Sequence, residues 1–122
     1  MYCIAVVTDH VFAFSGNPIS WQAVSANIGE TAHLLCGNDE TITTRVDWNY
    51  RSSPEVIPYT IISAGHLING AFGGRLSINE TTLIINNVQK YDSGVYTCVE
   101  DTPHRPEHHV NFTAKGKFSK CH

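Results

Sequence analysis

Basic residues never cluster in this chain. Its 8 lysines and arginines are scattered among 11 acidic residues and leave a net charge of −3. That balance gives no electrostatic footprint for nucleic acid. Long apolar runs are missing too, since no stretch approaches the roughly 20 residues of a membrane-spanning helix. The apolar residues 4–7 are followed closely by Asp9 and His10, and no basic start precedes them. No secretory leader is therefore assigned, and the chain reads as a mature ectodomain piece. Contact with a membrane is expected only through segments absent from this chain. Cys-x-x-C spacing, a nucleophile-elbow glycine pattern and a paired-carboxylate setting are all lacking. The expectation is a non-enzyme without catalytic residues, cofactor or metal.

Sustained helical periodicity and internal repeats are also absent. What remains is a pattern of short alternating or β-branched runs separated by Gly, Pro, Asn, Asp and Ser, as in an all-β sandwich. Strands are expected at residues 4–7, 11–14, 19–24, 31–36, 43–51, 58–63, 66–68, 75–78, 82–85, 94–99 and 109–115. The 70–74 stretch is a turn-rich connection and 101–108 a loop. A length of 122 residues fits one domain with a sizeable core. It is placed at 19–116, with an N-terminal extension at 1–18 and a tail at 117–122.

The even cysteine count (Cys3, Cys36, Cys98 and Cys121) suits an oxidising compartment. Two glycosylation sequons, starting at Asn79 and Asn111, agree with an extracellular location, at the cell surface or secreted.

Within the alternating runs, Ala32, Leu34 and Cys36 share one strand face, and Val46, Trp48 and Tyr50 share another. Cys98 stands on the inward face of a later strand. Tyr96 lies two residues before it, where its hydroxyl can reach backbone upstream while its ring fills the core. Asp92-Ser93-Gly94 leads into that strand.

Taken together, Gly29-Glu30-Thr31, Leu34-Leu35-Cys36, Trp48, Gly74-Arg75-Leu76-Ser77 and Asp92-Ser93-Gly94-Val95-Tyr96-Thr97-Cys98 resemble the immunoglobulin V-set domain. The resemblance covers roughly residues 19–116. It implies an all-β, immunoglobulin-like Greek-key β-sandwich of V-type, with two antiparallel sheets joined by a Cys36–Cys98 disulfide. It also implies a core built on Trp48, Tyr96 and Leu34, and an ion pair between Arg75 and Asp92. The interval from Trp48 to Cys98 has room for the extra strands of the V-type layout. Rearranging antigen receptors carry a Phe-Gly-x-Gly bulge at the start of the last strand, and residues 109–113 have none. The resemblance therefore points to a germline-encoded receptor, adhesion or defence protein. Cys3 and Cys121 fall outside the family pattern. They fit a mutual disulfide, bonds to neighbouring domains of a longer protein, or free thiols, and the first is preferred.

For such a domain the resemblance implies protein recognition, through the outer sheet face or the loop end. Alternation puts Arg45, Asp47 and Asn49, then Val95, Thr97 and Val99, then His109, Asn111 and Thr113 on that face. The valines would form a mildly apolar strip in a polar rim, which suits an interface with another protein, including a second copy in a homodimer. A glycan on Asn111 would obstruct that face, whereas one on Asn79 is harmless. The loop residues Asp39, Glu40, His66, His104, Arg105, Glu107 and His108 are the alternative contacts. His104, His108, His109 and Glu107 are spaced tolerably for zinc, but a proline-containing recognition loop is the preferred reading. A secreted defence protein whose loops bind carbohydrate ranks second, because the 101–108 loop has no aromatic residue for a sugar to stack on. A spacer domain without a ligand is the third reading.

Overall fold

The computed structural model describes residues 19–37, 45–68 and 70–116. The strands expected at 4–7 and 11–14, Cys3, Cys121, Asp39 and Glu40, and the 1–18 and 117–122 segments lie outside them. The described strands are β1 (Ile19–Asn27), β2 (Ala32–Leu34), β3 (Val46–Arg51), β4 (Tyr59–Ser63), β5 (His66–Leu67), β6 (Leu76–Asn79), β7 (Thr82–Ile85), β8 (Gly94–Glu100) and β9 (Glu107–Lys115). They form two sheets, a six-stranded one ordered β1-β9-β8-β3-β4-β5 and a three-stranded one ordered β2-β7-β6. Every pairing is antiparallel except β1 with β9, which run parallel.

Period-two alternation sets which side chains meet between the sheets. Val46, Trp48 and Tyr50 of β3, Tyr96 and Cys98 of β8, and Val110, Phe112 and Ala114 of β9 are buried. Across from them lie Ala32 and Leu34 of β2, Leu76 of β6, and Leu83 and Ile85 of β7. Two successive residues of β4, Ile61 and Ile62, are both buried, and the β3–β4 register shifts between Trp48 and Asn49. A bulge lets a strand turn neighbouring side chains to one face in this way.

Cys36 and Cys98 are bonded across the sandwich, 62 residues apart in sequence, which is worth roughly 4 kcal/mol on the chain-entropy account. Trp48 stands opposite Cys98 in the β3–β8 register, fully buried. Its indole N–H donates to the Thr81 carbonyl at 3.0 Å, so the ring's polar atom is satisfied inside the core.

One end of the sandwich is closed by charge. The Arg75 guanidinium donates twice to the buried Asp92 carboxylate, at 2.6 and 2.7 Å. Asp92 Oδ2 also accepts the Gln89 backbone N–H at 2.7 Å. The Tyr96 hydroxyl donates to the Asp92 carbonyl at 2.5 Å, forming a tyrosine corner over the same turn. Gly94 starts β8 so close to β3 that a Cβ there would lie 2.5 Å from the Arg51 carbonyl oxygen. Only glycine fits that approach.

Several strand boundaries differ from the sequence reading, and two of these, in β1 and β9, bear on the outer face. β1 runs beyond Val24 to Asn27, because Val24 and Ala26 both pack against the core. It stops where the Asn27 N–H turns to Glu30 Oε1, at 2.9 Å. β9 starts at Glu107, earlier than expected, because it has a partner on each side. Glu107 pairs with Ile19 of β1 and with Val99 of β8. Glu107 and His108 are therefore strand residues and not part of the preceding loop.

Candidate recognition face

The outer face of the six-stranded sheet is built from the alternate residues that the core does not take. The registers place Trp21 beside His109, His109 beside Thr97, Thr97 beside Asn49, and Asn49 beside Thr60. One row of side chains thus crosses β1, β9, β8, β3 and β4. Most of the row is fastened together. The Trp21 and His109 rings stack with centroids 4.4 Å apart and planes at 22°. Thr97 Oγ1 and His109 Nδ1 share a hydrogen bond of 2.8 Å, and Thr60 Oγ1 donates to Asn49 Oδ1 at 2.9 Å.

Rows lie on either side of this one. Glu107, Val99 and Asp47 are aligned on the side nearer the 101–106 loop. Ala23, Asn111, Val95 and Arg51 are aligned on the other. Val95 and Val99 are half-buried and flank Thr97, so the centre of the face is apolar and lightly polar while its margins carry charge. Asp47 is held in place by the Ala64 N–H at 2.6 Å, and Arg105 approaches it at 3.9 Å. Arg45 stands one residue before β3 begins, at the loop end, so it borders the face without belonging to a strand.

Trp21 was not among the sequence candidates, and it is the most prominent group on the face. The residue is 55% exposed although its ring is stacked on His109. The signal for it was the alternation of Trp21, Ala23 and Ser25 against Gln22, Val24 and Ala26. That pattern marks an outer face but does not say which sheet β1 joins.

His109 is buried enough that desolvation lowers its pKa from the ordinary 6.5. Glu107 opposes that effect, with its Oε1 3.6 Å from His109 Nε2, while Arg51 and His108 add to the lowering.

The remaining candidates disperse. His66 is exposed in β5, and His104 and Arg105 are exposed in the 101–106 loop. His108 points the other way, between the sheets. Its Nδ1 meets Ser20 Oγ at 2.7 Å and its Nε2 meets Glu100 Oε2 at 2.6 Å. Gly37 packs so tightly on this ring that a Cβ there would lie 2.7 Å from Nδ1. The three histidines named for zinc thus face three different ways, and among the described residues no group of His, Cys, Asp and Glu closes on one point. Asn111 is exposed within the face and Asn79 is exposed at the end of β6.

Comparison with known proteins fits this geometry. The immunoglobulin V-set domain family matches residues 19–117. An Ig kappa chain V region, 3368, from Oryctolagus cuniculus is 36% identical over 84 residues, covering 66% of this chain and 75% of that one. Interference hedgehog from Drosophila persimilis is 34% identical over 103 residues, covering 83% of this chain. The chain spans only 10% of that second protein's length.

Proposed function

The chain belongs to the immunoglobulin V-set family, and from that premise we propose that it is an extracellular receptor or adhesion domain that binds another protein through its outer sheet face. V-set domains are recognition modules and not enzymes. The observation that carries the finer reading is the row from Trp21 to Thr60, fastened from Trp21 through His109 to Thr97 and again between Asn49 and Thr60, with an exposed tryptophan at one end and two valines flanking its middle. Protein interfaces favour this composition, with an aromatic anchor over a weakly charged centre. Pre-ordering of the row supports the same reading, because its side chains lose little freedom when a partner arrives. A second copy of the domain is a suitable partner. Two such faces would bring their charged margins and apolar centres into register about a two-fold axis.

The alternative, in which the loops of a secreted protein bind carbohydrate, draws less support. The described 101–106 loop has no aromatic residue, and His108 is engaged with Ser20 and Glu100 below it.

Sedimentation of the domain prepared without N-linked glycans, over a wide concentration range, tests homophilic pairing. We expect concentration-dependent dimers that weaken about tenfold or more in Trp21→Ala, the loss typical of an interface anchor. Thr97→Arg is expected to abolish them, while both variants keep the parent circular dichroism. A strict monomer at every concentration would reject pairing with a second copy. Sheet-face variants would then be scored for loss of binding to candidate receptors displayed on cells.

A further inference from the structure

A second surface lies at the opposite end of the sandwich. β3 runs away from the 101–106 loop, since Val46 pairs with Glu100 and Arg51 with Val95. Tyr50, the next-to-last residue of β3, therefore sits at the far end. A cleft of about 300 Å³ opens there, lined by Tyr50, Tyr59, Phe72, Tyr91, Arg75 and Asp92. That volume is at the lower end of the range for small-molecule sites.

The chemistry of the lining narrows the ligand. Arg75 and Asp92 are the only charged groups in it, and they neutralise one another at 2.6 and 2.7 Å. Arg75 Nη1, which already donates to Asp92, is also within reach of the Asn86 and Asn87 carbonyls at 3.5 and 3.2 Å. The pair leaves the lining with no net charge, so an ionic ligand gains little attraction there. The walls are aromatic. The Phe72 and Tyr50 rings meet edge to face at 5.1 Å, and Tyr59 meets Tyr50 at 5.7 Å. Arg75 lies 5.8 Å from the Phe72 ring centroid and 5.5 Å from that of Tyr91, holding both rings at the cleft. Tyr59 and Tyr91 are 52% and 73% exposed. Neither of their hydroxyls has a hydrogen-bond partner among the described residues. Burial, with the negative charge of Asp92, raises the Tyr59 phenol above its ordinary pKa, so it stays a neutral donor.

Phe72 is left-handed, at φ 54° and ψ 31°, within the 70–74 turn that forms this wall of the cleft.

We propose that this cleft is a binding site for a neutral saccharide, with a sugar ring stacked on the exposed tyrosines and its hydroxyls bonded to the free phenols. Apolar C–H faces and hydroxyl edges alternate around a neutral sugar, and the cleft offers rings and uncharged donors in the same way. The site stands apart from the sheet face, so either site can exist without the other.

The test is an amide chemical-shift titration of the isotope-labelled domain. The probes are the methyl glycosides of glucose, mannose and galactose, N-acetylglucosamine and the β-linked disaccharides of these sugars, each taken to tens of millimolar. At least one probe is expected to shift the amides of Tyr59, Phe72, Gly73 and Tyr91 in a saturable manner. Tyr91→Ala, an exposed position, is expected to weaken that binding about tenfold, the worth of one lost ring stack. Tyr59→Phe, which removes only a hydroxyl, weakens it less, and Trp21→Ala leaves it unchanged. Silence with every neutral sugar would overturn the proposal. So would shifts confined to residues 101–106, or saturation only with charged saccharides or a proline-rich peptide.

Discussion

His109 links the chemistry of a single residue to the behaviour of the recognition face. It is wedged between Trp21 of β1 and Thr97 of β8, with Glu107 on its own strand and Arg51 of β3 and His108 contributing charge nearby. Its pKa is lowered chiefly because burial disfavours the imidazolium. The unfolded chain therefore takes up a proton at His109 more readily than the folded one. This group's stabilising contribution is complete above the ordinary pKa of 6.5. It is lost as pH falls from there through the lower folded value. We expect acidification to lower the thermal midpoint of the parent more than that of His109→Gln. Parallel midpoint curves for the two proteins would remove His109 from the acid response. A partner seated on the face would desolvate the ring further, so acid should also weaken sheet-face binding.

At the scale of elements, β1 and β9 carry most of what the sequence concealed. The features of single strands were legible, because alternation alone puts Leu34, Trp48, Tyr96 and Cys98 inward. Pairing between β1 and β9 was not, since it joins Ser20 to His108 across 88 residues without a local turn to announce it. That one pairing placed Trp21 on the outer face and moved Glu107 and His108 from a loop into a strand. The aromatic cleft was hidden for the same reason, because its rings come from β3, β4, the 70–74 turn and the turn before β8. The join at the top of β1 depends on Gly37, which has φ 76° and no room for a Cβ beside His108. His108 has little freedom to yield, being bonded to Ser20 and Glu100 at once. Gly37→Ala is thus expected to destabilise the domain by about 1–3 kcal/mol through overpacking and backbone strain. Hydrogen exchange should show its first effect as faster opening of β1 amides. Unchanged exchange in β1 would mean that the Ser20–His108 contact does not hold that edge.

Over the whole molecule, the two surfaces divide the sandwich by chemistry. The sheet face is broad, shallow and edged with charge, whereas the far end is a small aromatic cleft with a closed ion pair. Asn111 decides how the first of these is used. It lies exposed between Ala23 and Val95, inside the face that carries the fastened row. Its sequon, Asn111-Phe112-Thr113, places the Phe112 ring in the core and Thr113 outward. A glycan on Asn111 would therefore project from the middle of the interface and hold a flat partner away, while one on Asn79 would project from the exposed end of β6. For protein from a glycosylating host, Asn111→Gln should strengthen self-association towards that of unglycosylated protein, and Asn79→Gln should leave it unchanged. Sedimentation of the two variants beside the parent reads the difference directly. If glycan mass at Asn111 is confirmed by mass spectrometry and the three dissociation constants coincide, self-association does not use the β1–β9 half of the sheet. Self-association would then have to use the β3–β4–β5 side of the sheet or another surface, and Trp21→Ala would be without effect on it.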